Sequence, residues 1–209
     1  MNTIYNENVT GLVLAGGKAR RMGGQDKGLI NINGQAMIQY VLTALKPQVN
    51  RIIINANRNI SEYETFGYSV ISDQLEDYQG PLAGMAAAME ASETKFICTC
   101  PCDGPLIAED IVSRLYSAIS TSSSEDSNSK INIAVAHDGK RMQPVYALLN
   151  CSLRQSLLDY LHSGERKIDR WYSQHNAKTV DFSDKQDCFI NINTPEDQTS
   201  ISEKLTNKN

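Results

Sequence analysis

The residues with the clearest chemical purpose lie in LAGGKARRMGGQDK, residues 14–27. This stretch holds four glycines, four cations (Lys18, Arg20, Arg21 and Lys27) and one acid, Asp26. A local charge of +3 leaves −7 for the remainder of a chain whose total is −4. Glycines let a ligand approach backbone N–H groups, lysine supplies a point charge and arginine a planar fork. The combination suits a polyanion such as a nucleoside triphosphate. It is neither of two familiar phosphate loops. Lys27 is followed by Gly28 rather than Ser or Thr, and the adjacent Gly16 and Gly17 break the spacing G-x-G-x-x-G.

Further polar candidates stand just after apolar runs: Asn55 after RIII, Asp73 after YSVIS, and Asp103 after a run containing Cys98, Cys100 and Cys102. Each has a plain alternative. Asn55 reads equally as a strand-end cap, Asp73 as a turn residue, and Asp103 as a helix N-terminal acid before Pro105. Gly80 to Gly84 (GPLAG) starts a helix where small residues allow close approach to a ligand, or serves packing alone. Asn191 and Asn193 flank Ile192 on one strand face, and DGKR (138–141) reads as a hairpin tip. The five cysteines, Cys98, Cys100, Cys102, Cys151 and Cys188, read as free thiols packed as small apolar groups. Alternation puts the first three on one strand face, where they converge poorly on a tetrahedral metal.

The elements that must position these residues follow from hydrophobic period. Residues 9–14 form a short, almost wholly apolar run, and 51–55, 68–72 and 95–100 are further short runs. Helical spacing marks 36–45, 81–92 and 108–119. The order β-α-β-β-α-β-α predicts an α/β layer fold with a mostly parallel sheet and right-handed crossovers. Ligands in such sheets bind beyond the carboxyl ends of the strands, where Leu14, Asn55, Asp73 and Asp103 fall. Further on, 131–137 and 144–149 read as strands around an Asp138-Gly139 turn, 153–161 as an amphipathic helix, and 188–192 as a late strand. We expect one domain over 1–209, with a nucleotide-binding half (1–119), an exposed Ser-rich loop (120–129) and an acceptor-binding half (130–205).

Composition narrows the function. At 209 residues and 41% hydrophobic, the chain can bury a full core, and −4 gives no global basic field for nucleic acid or anionic membranes. No apolar run approaches a membrane span, and MNTIYNENVT lacks the basic start and apolar stretch of a secretory signal. The expected location is the cytoplasm, and the expected state a monomer.

The ordered set LAGGKARRMGGQDK, NANR (55–58), GPLAGM (80–85), CPCD (100–103) and FININTPED (189–197) resembles the molybdenum cofactor guanylyltransferases. The resemblance spans most of the chain and implies a Rossmann-like, three-layer nucleotidyltransferase fold. It implies transfer of GMP from GTP to the phosphate of molybdenum-molybdopterin, giving a guanine dinucleotide cofactor and pyrophosphate. It further implies that Leu14, Ala15, Gly16 and Gly17 wrap the nucleotide, that Lys27 meets its phosphates, and that Asn55 and Asp73 contribute to the same site. Asp103 would bind Mg²⁺, and Asn191 and Asn193 would help hold the pterin. Cofactor-insertion proteins and molybdoenzyme chaperones are the implied partners. Gly104 departs from the resemblance, which leads us to expect a hydroxyl residue after the acid.

Elementary chemistry agrees. A phosphate nucleophile must approach an α-phosphorus ringed by negative oxygens, so the protein's task is positioning and charge neutralisation. Arg21, Lys27 and Asp103 are the residues expected to carry it, the last through a hard cation. An ionised phosphate needs no general base, so His137, His162 and His175 have no assigned task. Two rivals remain at this stage. One is a nucleotidyltransferase of the same fold with another base or acceptor, such as a sugar phosphate or methylerythritol derivative. The other is a non-catalytic nucleotide or cofactor carrier, which would need the glycine loop but not the metal acid.

Overall fold

A computed structural model describes residues 6–17, 26–75, 80–120 and 131–206. The Ser-rich stretch, apart from Ser120, and the cations Lys18, Arg20 and Arg21 lie outside the described residues. Strand β1 (Val9–Leu14) is third in a seven-stranded sheet whose central strand is the neighbouring β6. Its parallel neighbours are β4 (Arg51–Asn55) on one side and β6 (Phe96–Pro101) on the other. Beyond β4 lies β5 (Ser69–Ile71), also parallel. Beyond β6 come β8 (Met142–Asn150), β7 (Ile133–His137) and β9 (Lys178–Asp181). Among these strands β8 alone runs against the rest. The mostly parallel α/β sheet read from the sequence is therefore present.

Alternation within the strands builds three layers. Val9 and Val13 of β1, Ile52 and Ile54 of β4, and Phe96, Cys98 and Cys100 of β6 face one core. That core packs under α1 (Met37–Leu45) and α4 (Ile111–Ser120). Leu12, Ile53 and Ile97, one residue out of phase, face the other core with α3 (Pro81–Ala91), α5 (Arg154–His162) and α6 (Ile168–Tyr172). The three cysteines of β6 and its following turn, Cys98, Cys100 and Cys102, do share one face and are buried in the first core together with Cys188. Cys151 is only half-buried. No helix of the described residues is long and apolar enough to cross a membrane.

Several expected elements differ. Residues 56–68 are not a bare link between two strands, because they contain α2 (Ile60–Glu64). Parallel β4 and β5 need a crossover, and Tyr63 anchors this one by burying its ring completely. A small hairpin, β2 (Asn31–Ile32) with β3 (Gln35–Ala36), turns at Asn33-Gly34, both at positive φ. Helix α4 starts at Ile111, three residues later than expected. No strand forms over 188–192. Ser183–Phe189 is 3₁₀, and the Ile192 amide donates to the Asp103 carbonyl (2.9 Å) instead of joining a ladder. The late strand is β9, which the hydrophobic pattern hid because it lies at the sheet edge with most of its side chains exposed. The chain closes on α7 (Pro195–Thr206), whose Ile201 and Leu205 pack with Ile30, Ile32, Met37 and Ile192 in a third, smaller core.

Helix α1 approaches β1 closely because position 11 is glycine. A Cβ there would stand 2.7 Å from Leu45 Cδ2 and 3.2 Å from Val49 Cγ2. Gly11→Val should therefore overpack this layer and cost about 1–3 kcal/mol, read as a lowered urea midpoint with an unchanged slope.

Candidate active site

The carboxyl ends of β1, β4, β5 and β6 open onto one cavity of about 350 Å³. Strand order reverses here: β4 leaves to one side of β1 and β6 pairs on the other, which opens a crevice between the outgoing loops. Leu14, Ala15, Gly16, Gly17, Lys27, Asn55, Asp73 and Asp103 all line it. The expected nucleotide residues thus converge on one concave surface, although up to 89 positions separate them in the chain. Gly80 and Pro81 close another wall. Gly84 does not line the cavity. It lies against Asn55 and Leu14, where a Cβ would come within 2.3 Å of Asn55 Oδ1, so its small size serves the packing of α3.

Asn55 makes a strand-end contact, from Nδ2 to the Ile71 carbonyl (3.4 Å), and also reaches across the site. Asn55 is buried and donates from Nδ2 to Asp73 Oδ1 (2.9 Å). Asn57 Nδ2 donates to the other oxygen of Asp73 (2.8 Å), and Asn57 Oδ1 accepts from the Asp73 amide (2.8 Å). Two asparagines thereby fix one carboxylate. Asp103 sits in a turn eight residues before α4 begins, so it caps no helix. Asn57 is a site residue that sequence reasoning passed over. Its signal was its spacing, two residues beyond Asn55 within NANR.

Lys27 follows the glycine loop and begins a single 3₁₀ turn. Its Nζ donates to Asp103 Oδ2 (2.8 Å) and to Asn193 Oδ1 (2.6 Å). The pair with Asp103 is partly exposed, 22% and 16% for the two side chains, so we read it as a fixed geometry rather than a large source of stability. Asn193 belongs to a second cavity, of about 420 Å³, lined also by Asn191, Lys140, Arg141, Asp138 and Gln143. The DGKR turn thus borders the same space as the two asparagines. Its Asp138 carboxylate accepts from the Arg141 and Lys140 amides (2.7 Å each), and these bonds hold its pKa at about 2. One ammonium thus touches a lining residue of each cavity.

Behind Lys27 lies a buried anchor. Asp26, 6% exposed, accepts from the Tyr63 hydroxyl at 2.6 Å and from Asn59 Nδ2 at 3.4 Å, with Arg58 Nε also 3.4 Å away. Burial, the neighbouring Cys102 and the bond to Asp26 push the Tyr63 hydroxyl far above its usual pKa, so it donates at all working pH. Gly28 leaves the gap that this hydroxyl occupies, since a Cβ there would stand 2.6 Å from it. Asp26 was visible in the sequence only as the one acid in a basic loop. Its partners come from the β4–α2 connection (Arg58 and Asn59) and from α2 itself (Tyr63). Cys102 is likewise buried and its thiol is raised well above the usual value, first by desolvation and then by Asp103 and Asp26.

Three carboxylates line the first cavity, but their oxygens are not equally available. Both oxygens of Asp73 and both of Asp26 are engaged by neighbours. Asp103 uses only Oδ2 for Lys27 and keeps Oδ1 without a partner among the described residues. These residues contain no cluster of three or more His, Cys, Asp or Glu side chains able to hold a metal by themselves. One free hard oxygen beside a phosphate-sized cavity fits magnesium, which takes one or two carboxylates and completes its shell with phosphate and water. The histidines stand apart from this site. His175 accepts from or donates to Ser156 (2.8 Å), His137 Nδ1 accepts from the Gly139 amide (3.1 Å), and His162 is exposed.

The sequence profile of the MobA-like NTP transferase domain family matches residues 11–179. A protein of Shewanella piezotolerans named molybdenum cofactor guanylyltransferase is 48% identical over 200 residues, covering 96% of this chain and 95% of that one. One of the same name from Shewanella sediminis is 47% identical over 197 residues, covering 94% and 97%. Among solved structures, molybdopterin-guanine dinucleotide biosynthesis protein A from Archaeoglobus fulgidus superposes with a TM-score of 0.76 at 21% identity, over 96% of this chain and 100% of its own. The 4-diphosphocytidyl-2C-methyl-D-erythritol synthase of Anaerococcus prevotii superposes at 0.68 and 12% identity, over 96% and 99%. These distant likenesses concern the fold alone.

The anchor behind Lys27 makes a measurable claim. Asp26→Ala leaves the buried Tyr63 hydroxyl without its acceptor and the Arg58 guanidinium without its ion-pair partner, and should lower stability by about 1–3 kcal/mol. Equilibrium denaturation would show it, and an unchanged midpoint would contradict the clamp.

Proposed function

The chain belongs to the molybdenum cofactor guanylyltransferases, within the MobA-like nucleotidyltransferases, and from that premise we propose that it transfers GMP from GTP to the terminal phosphate of molybdenum-molybdopterin. The products are the molybdopterin guanine dinucleotide cofactor and pyrophosphate. The observation that carries this reading is the position of the Lys27 ammonium, which touches Asp103 in one cavity and Asn193 in the next. A donor nucleotide in the first cavity and an acceptor phosphate in the second would meet at this cation.

In the reaction, an oxygen of the acceptor phosphate forms a new bond to the α-phosphorus of GTP. The bond from that phosphorus to the bridging oxygen of the β-phosphate breaks, and pyrophosphate leaves with the electron pair. The loop Leu14–Gly17 holds the nucleotide by backbone contact, and the Asn55–Asp73–Asn57 network gives one wall a fixed polar surface. Lys27 offsets the charge that accumulates as the two anions approach and as pyrophosphate departs. Arg21, assigned from the sequence alone, is a second phosphate cation. Asp103 would hold Mg²⁺ through Oδ1, which has no partner among the described residues. When bound, the metal neutralises phosphate charge and polarises phosphoryl oxygens. Asn191 and Asn193 contact the pterin side, and the DGKR turn borders it. We place the enzyme in the cytoplasm as a monomer that hands its product to insertion proteins and molybdoenzyme chaperones.

Pyrophosphate release in the presence of GTP and molybdenum-molybdopterin tests the assignment. Release that is equally fast with CTP, or that needs only a sugar phosphate, would move the protein to another branch of the fold. Absence of release despite tight nucleotide binding would make it a carrier. Lys27→Ala should lower turnover by roughly 10²–10³, as removal of a transition-state electrostatic contact does, while circular dichroism stays unchanged. Asp103→Asn should abolish the dependence of rate on magnesium, and a magnesium titration like that of the parent protein would remove Asp103 from the metal site.

A further inference from the structure

Where an acid is followed by glycine at position 104, the space a side chain would occupy is already filled. An ideal Cβ on Gly104 would lie 2.0 Å from the hydroxyl oxygen of Tyr146 and 3.2 Å from Asn191 Oδ1. Tyr146 comes from β8, is 1% exposed, and packs its ring edge-on against Phe189 with centroids 5.0 Å apart. The ring therefore has little room to swing aside. Its hydroxyl donates to Asn191 Oδ1 at 3.4 Å. Burial, with Cys100 and Asp103 nearby, raises the hydroxyl pKa well above its ordinary value and keeps the proton on it.

The consequence is an oriented amide. With Oδ1 accepting from Tyr146, the two hydrogens on Asn191 Nδ2 face elsewhere, and Nδ2 donates to no described residue. Asn191 lines the second cavity. The neighbouring Asn193 differs, because its Oδ1 is taken by Lys27 and its Nδ2 donates to the Asn191 carbonyl (3.4 Å). Asn191 thus keeps both amide hydrogens without a partner among the described residues, whereas Asn193 has one of its two engaged. A backbone bond from the Ile192 amide to the Asp103 carbonyl (2.9 Å) ties this segment to the turn that carries both Asp103 and Gly104.

We propose that Tyr146, admitted by Gly104, is a positioning residue that turns the Asn191 amide so that it offers hydrogen-bond donors to an oxygen of the acceptor, a phosphate or ring carbonyl oxygen. This rests on the reading of the second cavity as the acceptor site. Gly104 and Tyr146 form one unit: a side chain at 104 and a hydroxyl at 146 cannot share the space, and either can supply a hydroxyl to Asn191.

The test compares Tyr146→Phe, Gly104→Ser and the double variant with the parent protein. Pyrophosphate release is followed while GTP and molybdenum-molybdopterin are varied separately, and the side-chain amide resonances of Asn191 are followed by NMR without substrates. Loss of one neutral hydrogen bond should raise the acceptor KM of Tyr146→Phe about fivefold, with the GTP KM changed by less than about twofold. The Asn191 amide resonances should move in the same variant. Gly104→Ser alone should be the worst of the three, and the double variant should recover the acceptor KM, because the serine hydroxyl returns to the vacated space. An unchanged acceptor KM, a parallel rise in both KM values, or unmoved Asn191 resonances would each overturn the proposal. A parent protein that releases no pyrophosphate with this acceptor would defeat the assigned reaction, and the amide resonances would still decide whether Tyr146 orients Asn191.

Discussion

The site depends on one ammonium shared between two carbonyl-type acceptors. Lys27 is held by Asp103, 76 residues away, and by Asn193, 166 residues away. Neither contact is buried enough to contribute much to folding, and the pair would be screened in salt like other half-exposed ion pairs. Its significance lies in location. A cation that is already positioned needs no reorganisation when anions arrive on either side, and preorganised charge is what a phosphoryl-type transfer asks of a protein.

Rigid surroundings make that location dependable. The Asp26 carboxylate, immediately before Lys27, is pinned by Tyr63 of α2 and by Asn59 and Arg58 of the connection before it. The turn after β6 that carries Asp103 is tied to the Asn191–Asn193 segment through the Ile192 amide. Glycines stand where these pieces touch: Gly28 beneath the Tyr63 hydroxyl, Gly84 against Asn55, and Gly104 beneath the Tyr146 hydroxyl. In each case a polar side chain from elsewhere in the chain occupies the volume that a Cβ would take. These glycines work through close approach, and no positive φ is involved at them.

Polar strand ends and apolar strand bodies divide the labour. The bodies of β1, β4 and β6 are buried on both faces, which explains their nearly unbroken apolar sequences. Where they end, Asn55 and the loop from Ala15 onward replace aliphatic residues, and the crevice opens. The same pattern shows why period-based reading failed at two points. Strand β9 has little burial to advertise it, and 188–192, although apolar enough for a strand, spends its backbone on a 3₁₀ turn and on Asp103.

The sequence by itself determined the layer architecture, the residues at the mouth of the parallel strands, and the family. Buried parallel strands, amphipathic helices and a glycine-rich cationic loop are local patterns, each written within a few consecutive residues. It also grouped Lys27 with Asp103 at a phosphate site and Asn191 with Asn193 at an acceptor site, without joining the two groups. Only the tertiary structure decided that Lys27 touches a residue of each cavity, that Asn57 shares Asp73 with Asn55, that Asp103 keeps one oxygen without a partner among the described residues, and that Tyr146 fills the space above Gly104. Such contacts are set by how distant elements dock, to within a few tenths of an ångström. Local hydrophobic periodicity carries no information at that distance.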